Sequence, residues 1–350
     1  MDQLSTAPAG AVPAQRRRAA TIGDVAARAG VGPSTVSRVL NGGQVSEAVR
    51  ARVHAAIDEL GYRPRASARA LVLGATGTVG MVIPFFTHPS AVERMRGVLA
   101  ALEDTSFELI VCNVADPDQR DAYLGRRAPL DRTDGLLIVS LSPRDDEADA
   151  FGRATVPVVL VDAHHPRLRR VVADDVLGGA IATNHLIELG HERIAFIGDT
   201  SDPRFAFTSS RRRLEGYRRS LEEAGLPVDG SLCREGPHGR LVAHRLTREL
   251  LSLPDPPTAI FAASDTQALG VLEAAGYEGV AVPEDLSVVG YDDLDVAPYV
   301  GLTTVSQPLE DSGRRGVERL LAAMGGQDDG PLEEQLELRL KVRRTTAPPR

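Results

Sequence analysis

The residues best suited to chemistry gather where apolar runs end. Asp162 closes Val-Val-Leu-Val-Asp, Ser264 and Asp265 follow Ala-Ile-Phe-Ala-Ala, and Asp292 closes Ser-Val-Val-Gly-Tyr-Asp. Ser209, Ser210, Arg211, Arg212 and Arg213 stand before a long amphipathic segment, with Arg204 nearby. Carboxylates and guanidiniums converging on one cleft suit a polyhydroxylated ligand, because hydroxyls need acceptors and donors in pairs. The arginines also admit a phosphorylated or acidic sugar. The loop Phe85-Phe86-Thr87-His88-Pro89 is expected to point into the same cleft. With no Trp in the chain, Phe85, Phe86, Phe205 or Tyr291 must supply an apolar platform for a sugar face. The candidate ligand set is therefore Phe86, Asp162, Ser209, Arg211, Arg213, Ser264, Asp292 and Gln307. Asp265 can cap the following helix or touch ligand, and Asp162 can contact ligand or merely end its strand.

Catalytic signatures are missing. No Gly-x-x-x-x-Gly-Lys-Ser/Thr, no Gly-x-Ser-x-Gly and no His-Glu-x-x-His occurs, and the cleft acids lack a nucleophile–base partner, so no enzyme is expected. His164-His165 reads as a solvated loop. His185 and His191 flank a helix end without metal-ligand spacing, and neither a metal nor a cofactor is expected.

A scaffold must hold these groups. Val79–Pro84, Leu109–Val114, Gly135–Leu141 and Val156–Asp162 read as buried parallel strands, with helices at Ala91–Leu102 and Asp118–Gly125. A second set follows: strands Arg193–Gly198, Thr258–Ala263 and Leu286–Asp292, and helices Gly178–Leu189, Arg211–Ala224, Leu241–Leu251 and Thr266–Ala275. Near-continuous Val/Ile/Leu runs between helices imply two doubly wound parallel-sheet lobes. Ligands of such sheets lie at the carboxyl ends of the strands.

The first residues differ in kind. Thr21 at an N-cap with Asp24 three residues on opens a helix through Ala29, which Gly30 stops. After the turn Gly30-Val31-Gly32, Pro33 begins a second helix with Val36, Val39 and Leu40 inward and Ser34, Thr35, Ser37 and Arg38 outward. Asn41-Gly42-Gly43 ends it. Ser46 is placed to cap a third helix with Val49, Val53, Ile57 and Leu60 as its stripe. Two short helices buttressed by a third describe a helix-turn-helix, whose small polar second helix fits a major groove.

The wording Thr21-Ile22-Gly23-Asp24-Val25-Ala26, Thr35-Val36-Ser37-Arg38-Val39-Leu40-Asn41 and Gly61-Tyr62-Arg63-Pro64 resembles the head of the LacI/GalR family of repressors. The resemblance continues through Ala68-Arg69-Ala70-Leu71, His185–His191, Ala262-Ala263-Ser264-Asp265 and Val282–Asp293. It implies a periplasmic-binding-protein-like body that closes on an effector and forms a homodimer on a pseudo-palindromic, double-stranded operator. It also implies a segment after Pro64 that becomes helical on the operator, with Leu71 as a minor-groove wedge. Arg213 and Asp292 match the family's hydroxyl-holding positions. The implied DNA-contacting set is Thr21, Ser34, Thr35, Ser37, Arg38, Asn41, Gln44, Arg65, Ala68 and Leu71. Two departures stand out. Gly32 and Pro33 replace the usual cap and first reading position, shifting base readout to Ser34, Arg38 and Gln44, and Ser264 stands where many members carry Asn.

Charge fits this division. Residues 1–74 hold ten arginines against five acids, a surplus of five, so with a net charge of −8 the rest carries −13. A basic head on an acidic body points to a polyanion at the head only. No run approaches the length of a membrane span and no secretory apolar stretch opens the chain, so a cytoplasmic, nucleoid-associated protein without a membrane partner is expected. Cys112 and Cys233 then read as buried free thiols. The expected organisation is a disordered tail over 1–20, a helix-turn-helix over 21–64, a hinge helix and linker over 65–77, and an effector body over 78–345. Its lobes are expected at 78–173 with 306–335, and at 174–305.

Overall fold

The computed structural model describes residues 20–350 apart from 41, 63–74, 126–128, 201–203, 206 and 328. The chain divides into two units, Met1–Thr76 and Gly77–Arg350.

In the first unit α1 (Ile22–Ala29), α2 (Pro33–Leu40) and α3 (Glu47–Leu60) close on Val25, Ala26, Ala29, Val36, Val39, Val53, Ala56 and Tyr62. Thr21 Oγ1 accepts the Asp24 amide while the Asp24 carboxylate takes the Thr21 amide at 2.7 Å, a reciprocal cap for α1. Gly30, at φ 65°, ends α1 in a conformation that Cβ-bearing residues disfavour. Ser46 precedes α3, but its hydroxyl makes no capping bond. Leu60 is 37% exposed rather than part of the stripe, because Val53 and Ala56 already fill the inner face.

The second unit alternates strands and helices. Its first half runs β1 (Thr78–Pro84), α4 (Pro89–Leu102), β2 (Glu108–Val114), α5 (Pro117–Leu124), β3 (Gly135–Val139), α6 (Asp145–Arg153), β4 (Val158–Val161) and β5 (Arg169–Ala173). The second half runs α7 (Asp175–Glu188), β6 (Ile194–Asp199), α8 (Ser209–Glu223), β7 (Cys233–Gly236), α9 (Arg240–Leu251), β8 (Ala259–Ala262), α10 (Asp265–Glu278), β9 (Ser287–Asp292), α11 (Ala297–Val300) and β10 (Thr303–Ser306). Then come α12 (Leu309–Met324), β11 (Glu333–Leu336) and β12 (Arg339–Lys341).

Two six-stranded sheets result, ordered β11-β5-β4-β3-β1-β2 and β12-β10-β9-β8-β6-β7. Every pairing is parallel except β10 with β12. The central strands are buried on both faces and sandwiched by helices, as their unbroken apolar runs require. The chain passes from the first lobe to the second after β5, back after β10, and over again after β11. Beyond β12 the tail lies on the second lobe, where Thr345 takes the Val288 amide and Ala347 bonds Ser287, so the body extends past residue 345.

Three helix pairs approach at backbone distance, and two of them thereby place side chains at the cavity. A Cβ on Gly313 of α12 would lie 2.0 Å from the Arg94 carbonyl oxygen of α4, and one on Gly179 of α7 would lie 2.1 Å from that of Arg213 on α8. Both positions must be glycine for Arg94 and Arg213 to sit where they do.

Candidate functional site

In the head, Ser34, Arg38 and Gln44 are exposed, while Thr35 and Ser37 are half-buried on α2. Thr21 is engaged in the α1 cap through both its hydroxyl and its amide. Asn41, Arg65, Ala68 and Leu71 lie outside the described residues.

In the body, the carboxyl ends of the two sheets enclose a cavity of about 510 Å³. Phe85 follows β1, Ser140 follows β3, Asp162 follows β4 and Asp292 ends β9; all four line the cavity with φ of 44°, 53°, 53° and 117°. Left-handed backbone at non-glycine residues costs energy and persists where the surroundings enforce it, typically at ligand sites.

The polar groups form one chain across the cavity floor. Ser140 Oγ donates to Asp162 at 2.8 Å, and Arg94 Nη2 meets the same Asp162 oxygen at 2.9 Å. Arg94 Nη2 also faces Gln307 Oε1 at 3.5 Å, and Gln307 Nε2 donates to Asp292 Oδ1 at 2.5 Å. Arg213 donates from Nε to Asp175 at 2.8 Å and from Nη1 to the Ala263 carbonyl at 2.6 Å, its guanidinium 3.6 Å above the Tyr291 ring. Burial opposes the Arg213 charge, but Asp175 and the acids beyond it prevail and hold its pKa above the ordinary value. Burial raises the Asp292 pKa against the pull of Arg213 and Gln307.

At the mouth, Asp199 ends β6 and accepts Gln267 Nε2 at 2.9 Å, with His238 Nδ1 at 3.1 Å. Phe205 and Phe207 stack 4.9 Å apart, and Phe85 approaches Phe205 at 5.6 Å, forming an apolar wall.

Asp162, Ser209, Arg211, Arg213, Ser264, Asp292 and Gln307 all line this cavity. Phe86 does not. It is 41% exposed with its amide on Asn113, because the positive φ at Phe85 turns that ring inward instead. Tyr291 is fully buried beneath Arg213 and offers no face to a ligand. The cap of α10 is Ser264, which accepts the Gln267 amide at 3.2 Å. Asp265 is neither cap nor lining residue: buried, it accepts Thr304 Oγ1 at 2.6 Å and the Leu294 amide at 2.8 Å. Burial, reinforced by Asp292, raises its pKa to about 8. His165 is buried against Asp145 rather than solvated, and Cys233 is only half-buried. Arg94, Ser140, Asp175, Asp199 and His238 escaped the sequence reading. The one available signal was Arg94, a charge on the helix face that also carries Ala91 and Val98.

Of the arginines that suggested an anionic ligand, Arg213 is paired with Asp175, Arg212 with Asp174 and Arg204 with Asp118. Arg211 alone of this group is exposed and unpaired among the described residues. Lining arginines 94, 211 and 213 are matched by Asp162, Asp199 and Asp292.

Two family models match: "Bacterial regulatory proteins, lacI family" over 21–65 and "Periplasmic binding protein-like domain" over 183–346. The ribose operon repressor of Escherichia coli strain K12 is 38% identical over 308 residues, 86% of this chain and 92% of that protein. The solved complex of transcriptional regulator CelR with cellobiose superposes with a TM-score of 0.68 at 35% identity, covering 93% of this chain and 99% of that one. The lac repressor dimer bound to operator and the anti-inducer ONPF gives 0.76 at 28% identity, covering 94% and 100%. No helix of the described residues is long and apolar enough to cross a membrane.

Proposed function

The chain belongs to the LacI family of bacterial regulators, and on that premise we propose that it represses transcription from operator DNA under control of a neutral sugar held between its lobes. The observation that carries the ligand class is the run of Asp162, Arg94, Gln307 and Asp292, charge-matched with Arg213 in the same cavity lining as Phe85, Phe205 and Phe207. Paired donors and acceptors bind hydroxyls, the aromatic wall suits a sugar's C–H face, and the balanced charge disfavours a phosphate. Relatives bearing the names ribose operon repressor and CelR–cellobiose complex point the same way.

The protein acts as a homodimer in the cytoplasm, reading a pseudo-palindromic operator with Ser34, Arg38 and Gln44 in the major groove and Leu71 as a minor-groove wedge. Apolar side chains left in water on α4 (Val92, Leu99) and on the edge strand β2 (Val111) support a self-contact. A ligand changes operator affinity only through its different affinity for the open and closed lobes.

Genomic footprinting supplies the operator. Fluorescence polarisation of that duplex, with and without ribose, cellobiose and ribose 5-phosphate, then tests the reading. A neutral sugar shifting operator affinity supports it; a response to the phosphate alone overturns the ligand class, and specific binding to no duplex overturns the whole.

A further inference from the structure

We propose that His88 and His238 form a proton-sensitive latch between the lobes, which opens the cleft when both rings are charged. His88 stands at the start of α4 in the first lobe, and His238 lies between β7 and α9 in the second. Their rings stack across the mouth of the cavity, centroids 5.2 Å apart and planes 28° from parallel. The other neighbour of His88 is Phe85, stacked at 5.1 Å. His238 has a carboxylate of its own lobe, Asp199, at 3.1 Å, whereas the His88 ring makes no hydrogen bond among the described residues.

The asymmetry orders the protonations. Burial opposes a charge on His238, yet Asp199 prevails and raises its pKa. Burial lowers the His88 pKa, and a charged His238 lowers it further, against a smaller pull from Asp199. The remaining charged groups facing the pair are Asp292 at the end of β9 and Arg213 on α8, with Arg94, Arg211 and Asp162 elsewhere in the cavity wall. As pH falls, His238 charges first and His88 then charges beside it. Separation of the lobes removes both the burial and the neighbouring charge, so the His88 pKa is higher in the open form and protons favour opening. Like charges about 5 Å apart at a partly wet site shift such an equilibrium roughly tenfold. Where the cleft holds an effector, as proposed above, acid also weakens that binding.

The test uses the full chain without ligand. Fluorophores introduced through unnatural amino acids at exposed Glu103 and Glu223, one in each lobe, report the opening by energy transfer from about pH 7.5 to about pH 5. Wild type should shift roughly tenfold toward the open form, and His88→Phe, which keeps the stack and loses the proton, should stay closed. His88→Gln guards against a folding defect in the first variant. No shift in wild type, or an undiminished shift in both variants, overturns the latch. Calorimetry with ribose and cellobiose over the same range separates the two readings, since failure of both sugars to bind counts against the effector and leaves the energy-transfer result to decide the latch.

Discussion

The Gln307 amide donates to Asp292 at 2.5 Å and turns its carbonyl toward Arg94 at 3.5 Å. Gln307 lies where the chain passes from β10 to α12, Arg94 belongs to the first lobe and Asp292 to the second. One side chain thus connects the polar groups of both lobes at the crossing between them. It can transmit lobe closure and ligand occupancy to each other because each group is buried and loses its partner if the others move.

Removing that amide should uncouple ligand from operator. Gln307→Ala leaves Asp292 without its donor, and loss of a buried hydrogen bond to a charged group costs about 1.5–3 kcal/mol, or roughly ten- to hundredfold in effector affinity. Asp292→Ala should do the same, and the double variant should be no worse than the more damaging single one. Operator affinity without effector should be unchanged in all three, measured by polarisation beside calorimetry of the sugar. Additive losses would mean that the residues act independently.

The glycine at 179 should tolerate no side chain. Gly179→Ala places a methyl 2.1 Å from the Arg213 carbonyl oxygen, so α7 and α8 must separate. Overpacking of this kind costs about 1–3 kcal/mol. Urea denaturation should show the loss, and effector binding should weaken further than stability alone explains because Arg213 moves with α8. Gly225→Ala meets no neighbouring atom but must adopt φ 71°, so it should lose stability without a specific effect on the ligand.

Asp265 should make the body less stable as pH rises. Its folded pKa of about 8 exceeds the ordinary value of 3.8, so the folded state holds a proton that the unfolded state releases between them. Its contribution is therefore complete below about pH 4 and lost progressively up to about pH 8. Asp265→Asn keeps an acceptor for the Leu294 amide and carries no charge. Denaturant midpoints across that range should fall in wild type and stay flatter in the variant; parallel curves would place the titration elsewhere.

Much of this was legible in the residues, and the failures have physical causes. Six of the eight central strands declare themselves because both faces need apolar side chains, and their carboxyl ends located Asp162 and Asp292; β5, which opens Arg-Arg, and β10, which is Thr-Thr-Val-Ser, were not anticipated. Edge strands carry no such obligation: β11 is Glu-Glu-Gln-Leu and β12 is Arg-Leu-Lys, and neither was anticipated. Helix α12 was missed because Ser312, Gly313 and Gly316 occupy its buried face where a stripe of leucines would be sought. Adjacent residues proved hardest. Phe85 and Phe86 exchange roles through the positive φ at Phe85, which composition does not report, and Ser264 takes the cap that Asp265 equally suits in type. Arg94 and Asp175 are a buried guanidinium and a buried carboxylate whose partners lie 68 and 38 residues away in the chain.

The head offers the sharpest test of the DNA reading. Leu71 stands seven residues after Pro64, and an apolar side chain forced between base pairs unstacks and kinks the duplex. Leu71→Ala should leave the thermal unfolding of the body untouched, weaken specific operator binding by at least roughly tenfold, and reduce DNA bending by gel-shift permutation. Non-specific binding, set by arginines and phosphates, should persist with its steep salt dependence. Arg38→Ala provides the contrast, lowering discrimination among operator sequences while the bend remains. If Leu71→Ala binds and bends the operator as wild type does, the minor-groove wedge is not at this position, and the kink must come from contacts made by the recognition helix.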